Sequence, residues 1–140
     1  MGGLTSRNKG KRGEREVVKL LQPIVDNAYT SAGLEPPILE RNLMQSHRGG
    51  YDIVGLEFLA LEVKFQEQIT INAWWRQTTE QAGQNRVPVL IYRKSRVAWR
   101  VVMYGTLAAG VDKLRVPVDI ALDDFLIWFD ARLSYELSRG

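Results

Sequence analysis

The sequence predicts an α/β or α+β layer fold with one sheet and flanking helices, and three observations carry that prediction. Apolar residues recur at helical spacing near both ends of the chain and once in its middle. Between these stretches lie five short segments rich in β-branched, leucine and aromatic residues. The resulting order is helix, three strands, helix, two strands, helix, which asks for a sheet covered by helices. At 140 residues, 45% apolar and 25% charged, the chain has room for one self-sufficient core and no second domain. It carries no internal repeat and no inter-domain linker.

Each element has its own signal. Residues 1–10 (MGGLTSRNKG) are Gly-rich and polar and read as a mobile basic arm. From Gly13 onward, Val17, Leu20, Leu21, Ile24 and Val25 form a stripe at spacings of three and four, so a helix is expected, bent or shortened at Pro23. A loop with Gly33, Pro36 and Pro37 precedes strands at Ile38–Met44, Tyr51–Val54 and Leu59–Phe65. In the last of these, Leu59, Leu61, Val63 and Phe65 share one face while Ala60, Glu62 and Lys64 share the other. Asn72 is a candidate cap for a helix to about Asn85, with Trp74, Trp75, Thr78 and Ala82 along it. Strands at Val87–Tyr92 and Val97–Tyr104 flank a polar turn at Arg93–Arg96. Asp119 is a candidate cap for a final helix to about Leu137, whose inner stripe is Leu122, Phe125, Leu126, Phe129 and Leu133.

Composition excludes several chemistries. With no cysteine there is no disulfide scaffold, thiolate zinc site or cysteine nucleophile, and one histidine cannot supply a two-imidazole site. No apolar run approaches the roughly 20 residues that span a bilayer, and the polar N-terminus lacks a secretory pattern. The expected setting is cytoplasmic and nucleoid-associated, or the host cytoplasm if the gene is viral. The net charge of +3 is unevenly spread. Arg7, Lys9, Lys11, Arg12, Arg15 and Lys19 face only Glu14 and Glu16 in the same stretch, and the remaining chain is net −1. A basic end of this kind suits either a solvated tail or contact with a phosphate backbone.

The residues that carry chemistry are Asp52, Glu62 and Lys64. A turn centred on Glu57 places Asp52 opposite Glu62, with Cβ atoms about 4.5–5.5 Å apart. Two carboxylates so placed repel unless a cation lies between them. Mg²⁺ suits the gap, because it takes oxygen ligands at about 2.1 Å and keeps waters that a phosphate can replace. Lys64, on the face of Glu62, could hold or deprotonate an attacking water or neutralise transition-state charge. A solvated Glu-x-Lys pair is the plainer alternative, but the opposed carboxylates and the apolar character of both strands weigh against it.

Asp52 followed by Leu61-Glu62-Val63-Lys64 resembles the PD-(D/E)xK nuclease signature. Gly13-Glu14-Arg15-Glu16 before an apolar helix, with Val87-Pro88-Val89-Leu90 and Val97-Ala98-Trp99-Arg100-Val101 later, is similar to the archaeal-type Holliday junction resolvases within that superfamily. The likeness runs from about Lys9 to Val102. It implies a single restriction-endonuclease-like domain over residues 1–140, with a central mixed sheet of about five strands. It further implies Glu14, Asp52, Glu62 and Lys64 as catalytic residues, with Glu14 rather than Glu16 aligned to the family's helix carboxylate. Asp52, Glu62, the Val63 backbone carbonyl and Glu14 (directly or through water) would hold Mg²⁺, with Mn²⁺ able to substitute. The implied activity is structure-selective cleavage of four-way DNA junctions, by a homodimer, to 5′-phosphate and 3′-hydroxyl ends. The segment from Tyr29 to Gln45 is longer than compact resolvases need, a departure at the DNA-facing loop. A restriction-like endonuclease on duplex or flap DNA, or a non-catalytic DNA-binding protein of this fold, are the rival readings.

Further residues follow from the same frame. Ser46 stands about where the resolvases keep a loop serine, and His47 and Arg48, beside Gly49 and Gly50, read as backbone-contacting loop residues. With Arg7, Lys9, Lys11, Arg12 and Arg15 they complete the expected DNA-binding set. Gln77 and Gln81 sit where many superfamily members place an active-site helix glutamine. Trp74 and Trp75 read as packing residues more readily than base-stacking ones.

Overall fold

The computed structural model describes residues 2–43 and 51–139, with side chains from Arg7 onward. Helix α1 (Gly2–Ser31) leads through a loop to β1 (Glu40–Arg41), β2 (Ile53–Val54) and β3 (Leu59–Phe65). Helix α2 (Ile71–Ala82) crosses to β4 (Val87–Arg93), and the long hairpin β5 (Arg100–Ala109) and β6 (Asp112–Ala121) runs into α3 (Leu122–Arg139). Among the described residues the strands make one mixed sheet in the order β1-β2-β3-β4-β5-β6. The β3–β4 pair is parallel and the other neighbours are antiparallel. A parallel pair needs a crossover, and α2 supplies it.

The central strand β3 is buried on both faces, so each face has its own cover. Leu59, Leu61, Val63 and Phe65 join Val17, Leu21 and Val25 of α1 and Phe125, Phe129 and Leu133 of α3 in the main core. On the opposite face, α2 lays Ala82 against Ala60 and Tyr51, and Trp74 against Leu90, Tyr92 and Val102. Trp75 stacks edge-on against Tyr104, so both tryptophans serve packing. The face that alternation marked as polar is therefore covered, and Glu62 lies within it.

Three tethers fix the elements that surround the site. Gly13 lets α1 approach β3 closely: a Cβ there would stand 2.9 Å from Phe65 Cβ and 3.3 Å from the Trp99 ring. Arg93 donates to both carboxylate oxygens of Glu16 at 2.8 and 3.0 Å, with its guanidinium 4.0 Å over Phe65. Arg86 donates to the carbonyls of Leu56 and Leu59 at 3.2 and 3.0 Å and lies over the Tyr51 ring, bracing the turn between β2 and β3.

Several boundaries differ from those the sequence predicts, each for a physical reason. Helix α1 begins at Gly2 rather than Gly13 and passes through Pro23 to Ser31, because Val25 and Ala28 beyond the proline are buried. Among the described residues of the expected Ile38–Met44, only Glu40–Arg41 form strand β1, and Met44 lies outside them. The cap of α2 is Thr70, not Asn72, and the helix stops before Gly83 at φ 60°. The sheet has a sixth strand, and Asp119 belongs to it instead of capping α3. That strand is hard to read because its outer half is exposed on both faces, leaving no alternation, and Pro117 argues locally against a strand. Proline is tolerated there because β6 is the sheet edge.

Candidate active site

The site is assembled at the start of β2, where it meets β3. Ile53 pairs with Leu61, so Asp52 falls opposite Glu62, as a turn centred on Glu57 demands. Asp52 is stitched into the sheet on both sides. Its N–H donates to the Leu61 carbonyl at 2.7 Å, and its carbonyl accepts from the Asn42 N–H at 2.7 Å. Its Oδ2 accepts from the Val63 N–H at 2.7 Å. Asn42 further donates its side-chain amide to the Tyr51 carbonyl, so β1 holds the segment that aims Asp52.

Glu62 and Asp52 are 3% and 6% exposed, a degree of burial that charged groups reach only when something compensates them. Glu62 Oε1 stands 3.7 Å from Lys64 Nζ, while its Oε2 is buried with no hydrogen-bond partner. Burial pushes the Glu62 carboxyl up to about 8, the negative charge of Asp52 adds to the shift, and Lys64 opposes it. Glu14 also raises it, though it contributes least.

Glu14 stands at the rim. Arg41 Nε on β1 donates to Glu14 Oε1 at 2.8 Å, and the close approach at Gly13 puts the glutamate on this side of α1. Glu16 turns away to Arg93 and Arg12. The structure thus brings Asp52, Glu62 and Lys64 together and leaves Glu14 beside them. Among the described residues no group of three or more acidic or histidine side chains closes around one point. A divalent cation nevertheless fits the donors present. They are two opposed buried carboxylates, one with an unpartnered oxygen, and a Val63 carbonyl directed to the same strand edge as its N–H, all hard oxygen ligands.

A family described as "Phage putative PDDEXK endonuclease" matches residues 38–124, more than half of the chain. The chain belongs to this endonuclease family. The matched span of the nuclease contains Asp52, Glu62 and Lys64 and runs from the approach to β1 into α3; Glu14 and the rest of α1 precede it. No curated protein and no solved structure matches the chain.

The remaining expected residues of the nuclease distribute as follows. Arg7, Lys11, Arg12 and Arg15 are exposed on α1, while Lys9 is half-buried and ion-paired with Glu67 at 2.6 Å. Ser46, His47 and Arg48 lie outside the described residues. Gln77 and Gln81 are half-buried on α2, and Gln81 Oε1 is a buried acceptor with no donor. Arg93, read as part of a basic turn, belongs to the fold through Glu16; Lys94 and Arg96 are exposed. Sequence reasoning missed Arg41 and Asn42, since a strand of two residues has no periodicity to mark them. Gly13 was the available signal for the helix approach. No helix among the described residues is long and apolar enough to cross a membrane.

Proposed function

We propose that this endonuclease is a Mg²⁺-dependent, structure-selective endodeoxyribonuclease that resolves four-way DNA junctions as a homodimer. The observation that carries the reading is the opposed pair Asp52 and Glu62, buried beside Lys64 with one carboxylate oxygen unpartnered. Asp52, Glu62 and the Val63 carbonyl would hold the metal, with Glu14 at the rim contributing directly or through water. When bound, the ion supplies Lewis-acid polarisation of the phosphate and a lowered pKa for an attacking water. The chain's own groups do the rest. The Val63 N–H holds Asp52 through its Oδ2, and Lys64, 3.7 Å from Glu62, would hold the water and neutralise charge that develops on the phosphoryl oxygens. Arg7, Lys9, Lys11, Arg12 and Arg15, with Ser46, His47 and Arg48, would engage the backbone and leave sequence unread.

Junction preference rests on the likeness to resolvases in Gly13–Glu16 and in the later strand segments. Two cuts related by symmetry need two sites, which favours a dimer. The matched family is described as an endonuclease with no substrate named, so cleavage of ordinary duplex or flaps stands as the second reading. Cleavage of a synthetic four-way junction and of linear duplex of the same sequence, in Mg²⁺ and in EDTA, separates the two. Paired symmetric cuts in the junction alone are expected, with 5′-phosphate ends. Equal cutting of duplex supports the second reading, and no metal-dependent cutting of either overturns both. Asp52→Asn and Glu62→Gln are expected to bind the junction and leave it intact.

A further inference from the structure

Beside the carboxylates, α1 and β1 enclose a groove of about 270 Å³ lined by Arg15, Val18, Lys19, Leu39 and Arg41. One wall is a helix face, since positions 15, 18 and 19 are neighbours on α1. The other wall is the chain from Pro37 to Arg41, which has little regular structure and is held by fastenings at both ends. At the far end Gln22 donates to the Pro37 carbonyl at 2.9 Å and accepts from the Leu39 N–H at 2.7 Å. At the near end Arg41 donates to Glu14. The groove is therefore already built, and its wall residue Arg41 joins it to Glu14 beside the carboxylate pair.

Its chemistry is specific. Arg15 and Lys19 are exposed on one wall and Arg41 half-buried on the other, over an apolar floor of Val18 and Leu39. Glu14 is paired with Arg41, and strand alternation sends Glu40 to the opposite face. Cations above an apolar floor match a sugar-phosphate unit, with the phosphate on the cations and the deoxyribose on the floor. The volume falls below the roughly 300–1,000 Å³ of pockets that enclose a drug-sized molecule, which suits a segment of polymer passing through.

We propose that this groove seats a phosphate of the DNA strand next to the scissile one, with Lys19 as a backbone contact alongside Arg15 and Arg41. The position relative to the scissile phosphate rests on the nuclease reading; the binding itself does not. The test is equilibrium binding of a fluorescein-labelled four-way junction and a linear duplex in EDTA across a range of NaCl. Each phosphate contact contributes about −0.9 to the slope of log K against log salt. Lys19→Gln is expected to make the slope shallower by about that amount and to weaken binding severalfold, and Lys19→Arg to restore both. DNA with a neutral methylphosphonate next to the mapped cut is expected to weaken binding of the unaltered protein, and to weaken Lys19→Gln by less, since only Arg15 and Arg41 then lose a contact. An unaltered slope in a Lys19→Gln protein that melts normally, or equal weakening of both proteins by the neutral linkage, overturns the proposal while cleavage in Mg²⁺ still supports the nuclease. Failure of cleavage with the slope effect intact overturns the nuclease reading alone, and a protein that binds neither DNA overturns the groove.

Discussion

At the scale of single residues, Glu62 carries an energetic cost that Lys64 only partly offsets, and the proposed metal site would give that cost a use. Its carboxyl is raised from 4.5 to about 8, chiefly by burial and then by Asp52. Between those two pH values the folded protein holds a proton that the unfolded chain has released, so stability declines as pH rises through that window and levels off above about 8. At about 1.4 kcal/mol per unit, discounted for coupling to Asp52, the cost is on the order of 2–4 kcal/mol. Glu62→Gln, neutral at every pH, is expected to melt above the unaltered protein at alkaline pH and to converge with it below 4.5. Taking the difference between the two proteins cancels other titrations. If the proposed site binds Mg²⁺, the cation would take the proton's place, so it is expected to raise the melting temperature of the unaltered nuclease above pH 8 and to leave Glu62→Gln unmoved. Equal pH profiles for the two proteins contradict this account. Lys64→Met removes the opposing charge, so the Glu62 carboxyl is expected to move higher still, with cleavage falling by ~10²–10⁴-fold as for loss of a general base. The pair was legible in the sequence because a strand alternates with period two and a short turn fixes register. Arg41 was not, since an ion pair between a helix and a two-residue strand leaves no local pattern.

At the scale of elements, the approach of α1 to β3 decides where Glu14 stands. Two helical glycines make a matched test. Gly10 has nothing near its absent Cβ, so Gly10→Ala is expected to stabilise by ~0.5–1 kcal/mol through helix propensity. At Gly13 the same gain meets Phe65 Cβ at 2.9 Å, an atom that cannot move without its backbone. Overpacking costs ~1–3 kcal/mol and outweighs the gain, so Gly13→Ala is expected to lower the urea midpoint and to reduce cleavage by displacing Glu14. Elements whose apolar stripe faces a core, β3, β4 and α3, were readable from the sequence. Residues 7–12 of α1 and the outer half of the β5–β6 hairpin were not, because their largely exposed side chains obey no periodicity.

At the scale of the molecule, burial is unevenly shared. The outer hairpin, from Gly105 to Val116, leaves Leu107, Leu114 and Val111 exposed, so little apolar area is withdrawn from water there. Joining Gly105 to Val116 through a two-residue Asn-Gly turn is expected to shift the melting temperature by no more than a few degrees, with nuclease activity retained. A collapse of the thermal transition on that deletion would show that the hairpin holds the sheet together. The layer class was readable from the order of elements alone, whereas strand number was not, since an edge strand bearing Pro117 satisfies few of the local rules.

Arg86 gives the acidic hairpin an unusual dependency. The guanidinium that closes the turn ahead of Glu62 is encoded only after the crossover helix that follows it. A chain emerging from the ribosome therefore presents both carboxylates before the clasp that sets their spacing has been synthesised. The braced turn arrives with the second half of the polypeptide, and a truncated product that still contains Glu14, Asp52 and Glu62 is left without the guanidinium that closes it.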